Sequence, residues 1–147
     1  ARTTVNLRKT AITIVSLVAL ASVMNYAGMI VVIASALATV TGQLYPVFAP
    51  LIGAVGTFVT GSDTSSNILF AKLQANVANQ LNYSNSNWLV AANTTGATGG
   101  KIISPQSIAI ATAACDMQGR DGEILKAAIP YAVLYIAVGG LMVLLAV

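Results

Sequence analysis

Residues 60–67 read TGSDTSSN, an aspartate and a run of hydroxyls inside an otherwise apolar stretch. Polar groups left without partners in apolar surroundings cost free energy, so this cluster must have a use. Ser62 or Asp63 is placed to N-cap a helix that follows, and Ser104 with Pro105 makes an N-cap and first-turn pair of the same kind. A helix start offers unpaired N–H donors and about half a positive charge, so two of them meeting would cradle a small anion. Lys101 would add a full charge. The candidate anion-binding residues are therefore Ser62, Thr64, Ser65, Ser66, Asn67, Asn93, Thr94, Thr95, Lys101, Ser104 and Gln106, with Asp63 among them as a titratable group. The competing reading is structural: the hydroxyls cap helices and bond between them, and Asp63 pairs with Lys101. Charges inside a membrane are expensive and usually functional, which favours a site. Lys72, with Gln74, Asn76 and Asn79, reads as a wetter helix face or a snorkelling side chain.

Two interrupted segments have to position these residues. After Arg2, Arg8 and Lys9, residues 10–41 are apolar, roughly 45 Å if helical against a hydrocarbon core of about 30 Å. That length predicts one long span, tilted or broken at MNYAG (24–28), with two short paired helices as the alternative. TGQLYP (41–46) reads as a turn with an interfacial Tyr45. Residues 46–82 hold two apolar arms of about 15 residues either side of the polar cluster, each shorter than the roughly 20 that a span needs. A re-entrant helical hairpin is expected. Residues 88–115 are apolar at both ends with a glycine-rich centre, Gly96, Gly99, Gly100 and then Pro105, which predicts a broken span. Residues 126–147 form a final span. The fold class is thus an all-α membrane protein with a re-entrant hairpin and a discontinuous helix.

Composition agrees. Of 147 residues 56% are hydrophobic and only 7% charged, where a soluble domain carries about a quarter charged residues. With a single crossing before the hairpin, Arg2, Arg8, Lys9, Arg120 and Lys126 fall on one side, so the N-terminus and the 116–126 loop are expected in the cytoplasm. The net charge of +3 is topological rather than a nucleic-acid footprint. One cysteine, Cys115, and no histidine leave zinc, haem and catalytic-triad constellations without their usual parts, so neither an enzyme nor a cofactor is expected. The first residue is Ala rather than Met, which is read as a piece of a longer chain, with a trimmed initiator Met as the alternative.

The stretches GTFVTGSDTSSNILFAKLQ (56–74) and AANTTGATGGKIISPQSIAIA (91–111), with NYAGM (25–29) and the closing span, resemble the C-terminal part of the L-lactate permease family. The resemblance implies a multi-pass protein of a bacterial inner membrane that takes up L-lactate or glycolate together with protons. It also implies one repeat of an inverted-repeat transporter, with the N-terminal repeat missing from this chain; a homo-oligomer is a further partner state that the sequence leaves open.

Three hypotheses follow. In the first, Lys101 and the helix starts near Ser62 and Ser104 hold the carboxylate, while Asn67, Asn93, Thr94 and Thr95 bond the 2-hydroxyl or close the tips. Asp63 carries the proton: ionised it pairs with Lys101, and protonation releases Lys101 for substrate. In the second, the oxygens of SDTSSN and NTTG coordinate sodium as the coupling ion. In the third, the chain is a noncatalytic membrane scaffold whose polar breaks only hold helices together.

Overall fold

The computed structural model describes residues 15–16, 18–117 and 119–147, and every regular element among them is helical. Helix α1 covers residues 18–26, α2 Met29–Thr41, α3 Tyr45–Thr60, α4 Asp63–Gln80, α5 Asn87–Ile102, α6 Pro105–Ala114 and α7 Asp121–Ala146, with a 3₁₀ turn at Gly42–Leu44. Arg2, Arg8, Lys9 and residues 10–14 of the first expected segment lie outside the described residues. Within that segment the helix is interrupted at residues 27–28, where Gly28 takes a left-handed conformation (φ 73°) and leaves α2 without a side-chain cap.

Two stretches among the described residues, Met29–Thr60 and Asp121–Ala146, are long and apolar enough to cross a bilayer. Taken alone, α3, the second half of the first stretch, and α4 have 16 and 18 residues, about 24–27 Å each, and turn back on one another within two residues. The reason is local. Gly61 ends α3 at φ 70°, a left-handed value that favours glycine, and Ser62 is extended and starts α4 at once.

The expectation that the glycines of residues 96–100 break a helix is corrected by the structure. Helix α5 runs unbroken through Gly96, Gly99 and Gly100, and the interruption comes later, at Ile103 and Ser104. Gly96 and Gly100 sit where backbone meets backbone, and Gly99 faces the Ile136 side chain of α7. A Cβ at Gly96 would fall on the Pro50 carbonyl, one at Gly100 on the Ala54 carbonyl, and one at Gly53 on the Asn93 carbonyl. Each glycine costs about 0.5–1 kcal/mol of helix propensity. The close approach of α3 and α5 offsets that through dispersion contacts that a larger residue would prevent.

Helix α7 lies against this pair along one stripe. Ala132, Ile136, Gly139, Gly140 and Val143 are buried at helical spacing, whereas Tyr131, Leu134, Met142 and Leu145 point outward. Large apolar side chains facing outward on α3 (Leu51, Val55, Val59) and on α7 are what a lipid-facing or subunit-facing surface needs. The 116–123 loop is partly helical: α7 begins at Asp121, which accepts a hydrogen bond from Thr112 Oγ1 of α6 (2.9 Å). An exposed Arg120–Glu123 ion pair in its first turn contributes little.

Candidate functional site

The hairpin tip is built by caps. The Gly61 N–H donates to the Thr57 carbonyl (2.7 Å), Ser62 Oγ accepts from the Ser65 N–H (3.3 Å), and Thr60 Oγ1 donates to the Gly56 carbonyl (2.8 Å). At the second interruption Ser104 Oγ accepts from the Ser107 N–H (3.3 Å) and donates to Ser107 Oγ (2.9 Å), with Pro105 in the first position of α6. The capped N–H groups leave those of Asp63, Thr64 and Gln106 without backbone partners in the two first turns.

The two interruptions meet. Lys101, in the last turn of α5, donates from Nζ to the Gly61 carbonyl at 2.5 Å. The Gln106 side chain, in the first turn of α6, fills the space in which a Cβ on Gly61 would sit. A full positive charge and two helix starts are therefore grouped around one turn, the chemistry a carboxylate needs.

The expected pairing of Asp63 with Lys101 is not formed. Among the described residues the Arg120–Glu123 contact is the one ion pair, and Lys101 takes a main-chain oxygen instead. A carbonyl at the end of α3 carries partial negative charge and offers its lone pair without desolvating a second ion. Asp63 Oδ1 is buried and without a hydrogen-bond partner among the described residues. The Thr57 hydroxyl, which the sequence did not single out, is in the same condition.

Further from the tip, a buried polar chain joins α3, α4 and α5. The Tyr45 hydroxyl donates to Gln74 Oε1 (2.7 Å), Gln74 Nε2 donates to Asn93 Oδ1 (3.2 Å) and to the Ala49 carbonyl (3.2 Å), and Asn93 Nδ2 donates to Asn67 Oδ1 (2.9 Å). Thr94 Oγ1 donates to the same Asn67 oxygen (3.0 Å), and Asn67 Nδ2 donates to the Asp63 carbonyl (3.1 Å). Asn67, Asn93 and Thr94 thus bond one another and fasten the first turn of α4 to α5. Ser66 does the same towards α3, donating to the Gly53 carbonyl (2.8 Å).

The remaining candidates are elsewhere. Thr95 sets its methyl against Gly139 of α7, Thr64 is exposed, and Ser65 is buried behind its cap. Two readings are corrected here. Tyr45 is fully buried rather than interfacial, and Gln74 is fully buried rather than on a wet face. Gln74 precedes Val77 and Ala78 by three and four residues, so it shares their inward stripe; that spacing was the available signal. Lys72 instead lines a cavity of about 350 Å³ with Ser22 and Asn25. In the loop after α4, Tyr83 donates to the Gln43 carbonyl (3.1 Å), and partial burial pushes its phenol above the ordinary value.

Replacing Gln74 by leucine would leave the Tyr45 hydroxyl donor and the Asn93 side-chain oxygen unpaired in the interior and would take a second donor from the Ala49 carbonyl. The expected loss is about 2–4 kcal/mol of stability, read as a fall in the thermal unfolding temperature of the full-length protein in detergent. Asn76→Leu, on the exposed side of the same helix, is expected to change it little.

The whole chain, residues 1–147, matches the family described as L-lactate permease. The glycolate permease GlcA of Escherichia coli K12 is 45% identical over 99% of this chain, which covers 26% of that protein. The L-lactate permease of the same strain is 45% identical over 84% of this chain and 22% of its own length. That of Streptococcus iniae is 55% identical over 58% of this chain and 18% of its own length. The chain spans about a quarter or less of the curated relatives it matches most fully. No solved structure gives a significant match.

Proposed function

This chain belongs to the L-lactate permease family, a family of membrane permeases rather than enzymes, and from that premise we propose that it forms the substrate-holding part of a secondary transporter for 2-hydroxymonocarboxylates such as lactate and glycolate. The observation that carries this reading is the meeting of the two helix interruptions, with Lys101 and Gln106 both reaching Gly61. The carboxylate is held by Lys101 and by the uncovered N–H groups of Asp63, Thr64 and Gln106, while Ser62 and Ser104 fix the directions of the two helix starts. Lys101 has three donor hydrogens and uses one on Gly61, so two remain for an anion. Asn67, Asn93 and Thr94 act by holding the tip closed, and Ser65 and Ser66 by seating it. Thr95 is given no part in binding.

The short arms α3 and α4 form a re-entrant hairpin, α5 and α6 a discontinuous span, and the unit is one of two inverted repeats in a multi-pass inner-membrane protein with the loop before α7 cytoplasmic. Coupling is to protons through Asp63, whose buried and unbonded carboxylate oxygen is relieved by binding one. The test is counterflow of labelled L-lactate and glycolate in vesicles containing the full-length protein. Uptake of either above empty vesicles is expected, with acetate, which lacks the 2-hydroxyl, competing more weakly. No uptake of either substrate would reject the reading.

A further inference from the structure

We propose that the cavity between α1 and the middle of α4, at Lys72, is a second binding site for 2-hydroxycarboxylate anions, separate from the one at the hairpin tip. The proposal deepens the transport reading above and rests on it. The cavity measures about 350 Å³ and is lined by Lys72, Ser22 and Asn25 together with Val18, Ile30 and Ile68. One cation, two neutral hydrogen-bonding side chains and an apolar remainder are the composition of a small-molecule pocket, in which a few polar groups fix the orientation of the ligand. The ammonium takes the carboxylate, Ser22 and Asn25 the 2-hydroxyl, and the apolar side chains the methyl group of lactate. Lys72 is exposed, so a ligand can reach it. Two other cavities of similar size lack these parts: one is lined by Asp121, whose charge repels an anion, and the other by apolar side chains alone.

Charge completes the case, because Lys72 needs an anion that this chain does not supply. The whole sequence has four acidic residues, Asp63, Asp116, Asp121 and Glu123. The last three belong to the α6–α7 connection and the first turn of α7, and Asp63 lies nine residues back along α4, about 14 Å by helical rise. Among the described residues Lys72 is in no ion pair. A charge carried on a membrane-embedded arm without a partner is costly, and such charges usually serve function. Snorkelling to water is the competing account. The direction of the side chain disfavours it. Helical side chains lean toward the helix N-terminus, here the tip, and the cavity takes in Ile68, one turn nearer the tip, rather than Asn76 or Asn79. The same distance along α4 keeps Lys72 apart from Lys101, which bonds Gly61 beyond the start of that helix.

The experiment uses the full-length protein in phosphatidylcholine nanodiscs, cysteine-free apart from Ala21→Cys in the cavity wall, and reads the rate of maleimide labelling with and without L-lactate. Val18→Cys is the second reporter, so that one of the two decides if the other does not fold. Saturating lactate is expected to slow labelling at least about fivefold. The slowing is expected to persist with Lys101→Gln, to be lost with Lys72→Gln, and to return with Lys72→Arg, which restores the charge. Acetate, which lacks the 2-hydroxyl, is expected to need at least about tenfold higher concentration, the equivalent of one lost hydrogen bond. Lactate that does not slow labelling would overturn the proposal. So would slowing that survives Lys72→Gln or disappears with Lys101→Gln, because the signal would then come from the tip. Phosphatidylglycerol that slows labelling by itself and is not displaced by lactate would assign the cavity to a lipid phosphate, which equally overturns the proposal. Wild-type vesicles that take up neither lactate nor glycolate would remove the transport reading, while the labelling still judges the cavity.

Discussion

Gly96→Val is expected to leave almost no folded full-length protein, and with it no uptake. The Cβ that this change introduces falls on the carbonyl oxygen, carbonyl carbon and Cα of Pro50, all main-chain atoms that cannot rotate aside. Relief requires α5 to move away from α3, yet the same pair is held at Gly53 against Asn93 and at Gly100 against Ala54. A single overpacked methyl group typically costs about 1–3 kcal/mol when side chains can adjust. Here three contact points along one helix pair are lost together, so the cost approaches the whole of a usual stability of about 5–15 kcal/mol. Gly122→Ala is the control: nothing lies within 4 Å of its Cβ position, and the change favours α7 by up to about 1 kcal/mol. Yield after size-exclusion chromatography and the thermal midpoint separate the two. A Gly96→Val protein that elutes as a single species with the wild-type midpoint would show that α3 and α5 are not in contact as described.

How much of this was readable without coordinates depends on whether the partner of a residue lies close to it along the chain. Ser62 and Ser104 could be recognised as helix starts because a cap acts on N–H groups three residues away, and Pro105 reinforced the second. The helical, membrane character followed from having almost no charge. The glycines at 96, 99 and 100 mislead because propensity registers only the missing side chain; what uses the gap is the backbone of Pro50 and Ala54, more than forty residues earlier, and at Gly99 the Ile136 side chain, more than thirty residues later. Gln74 was grouped with polar neighbours in sequence, although the helical turn places it with Val77 and Ala78. For Lys101 the opposite charge at Asp63 suggested a pair, and sequence gives no means of ranking a carboxylate against a main-chain carbonyl at a helix end. In each case short-range chemistry could be read, and long-range geometry could not.

Asp63→Asn is expected to abolish lactate accumulation driven by a pH gradient while leaving lactate exchange running. Asparagine keeps the size of the side chain, and the bonds that hold the tip do not depend on the carboxylate: Asn67 Nδ2 donates to the Asp63 main-chain carbonyl and Lys101 to that of Gly61. The change removes a favourable charge from the start of α4, worth about 0.3–1 kcal/mol, and replaces an unbonded carboxylate oxygen by a neutral amide atom that costs less to bury. The fold should therefore remain within about 1 kcal/mol of the wild type. Each pH unit is worth about 1.4 kcal/mol per proton carried, a tenfold accumulation. A transporter whose proton site is gone cannot draw on that gradient, yet exchange of one lactate for another moves no net proton and needs none. Uphill uptake falling at least tenfold with exchange within about threefold of wild type assigns the proton to Asp63. If both fall together, the carboxylate serves binding or structure; if accumulation persists, the proton travels on a different group. Asp63→Glu keeps the titratable group on a longer arm, so partial recovery of gradient-driven uptake distinguishes loss of the proton from loss of the shape.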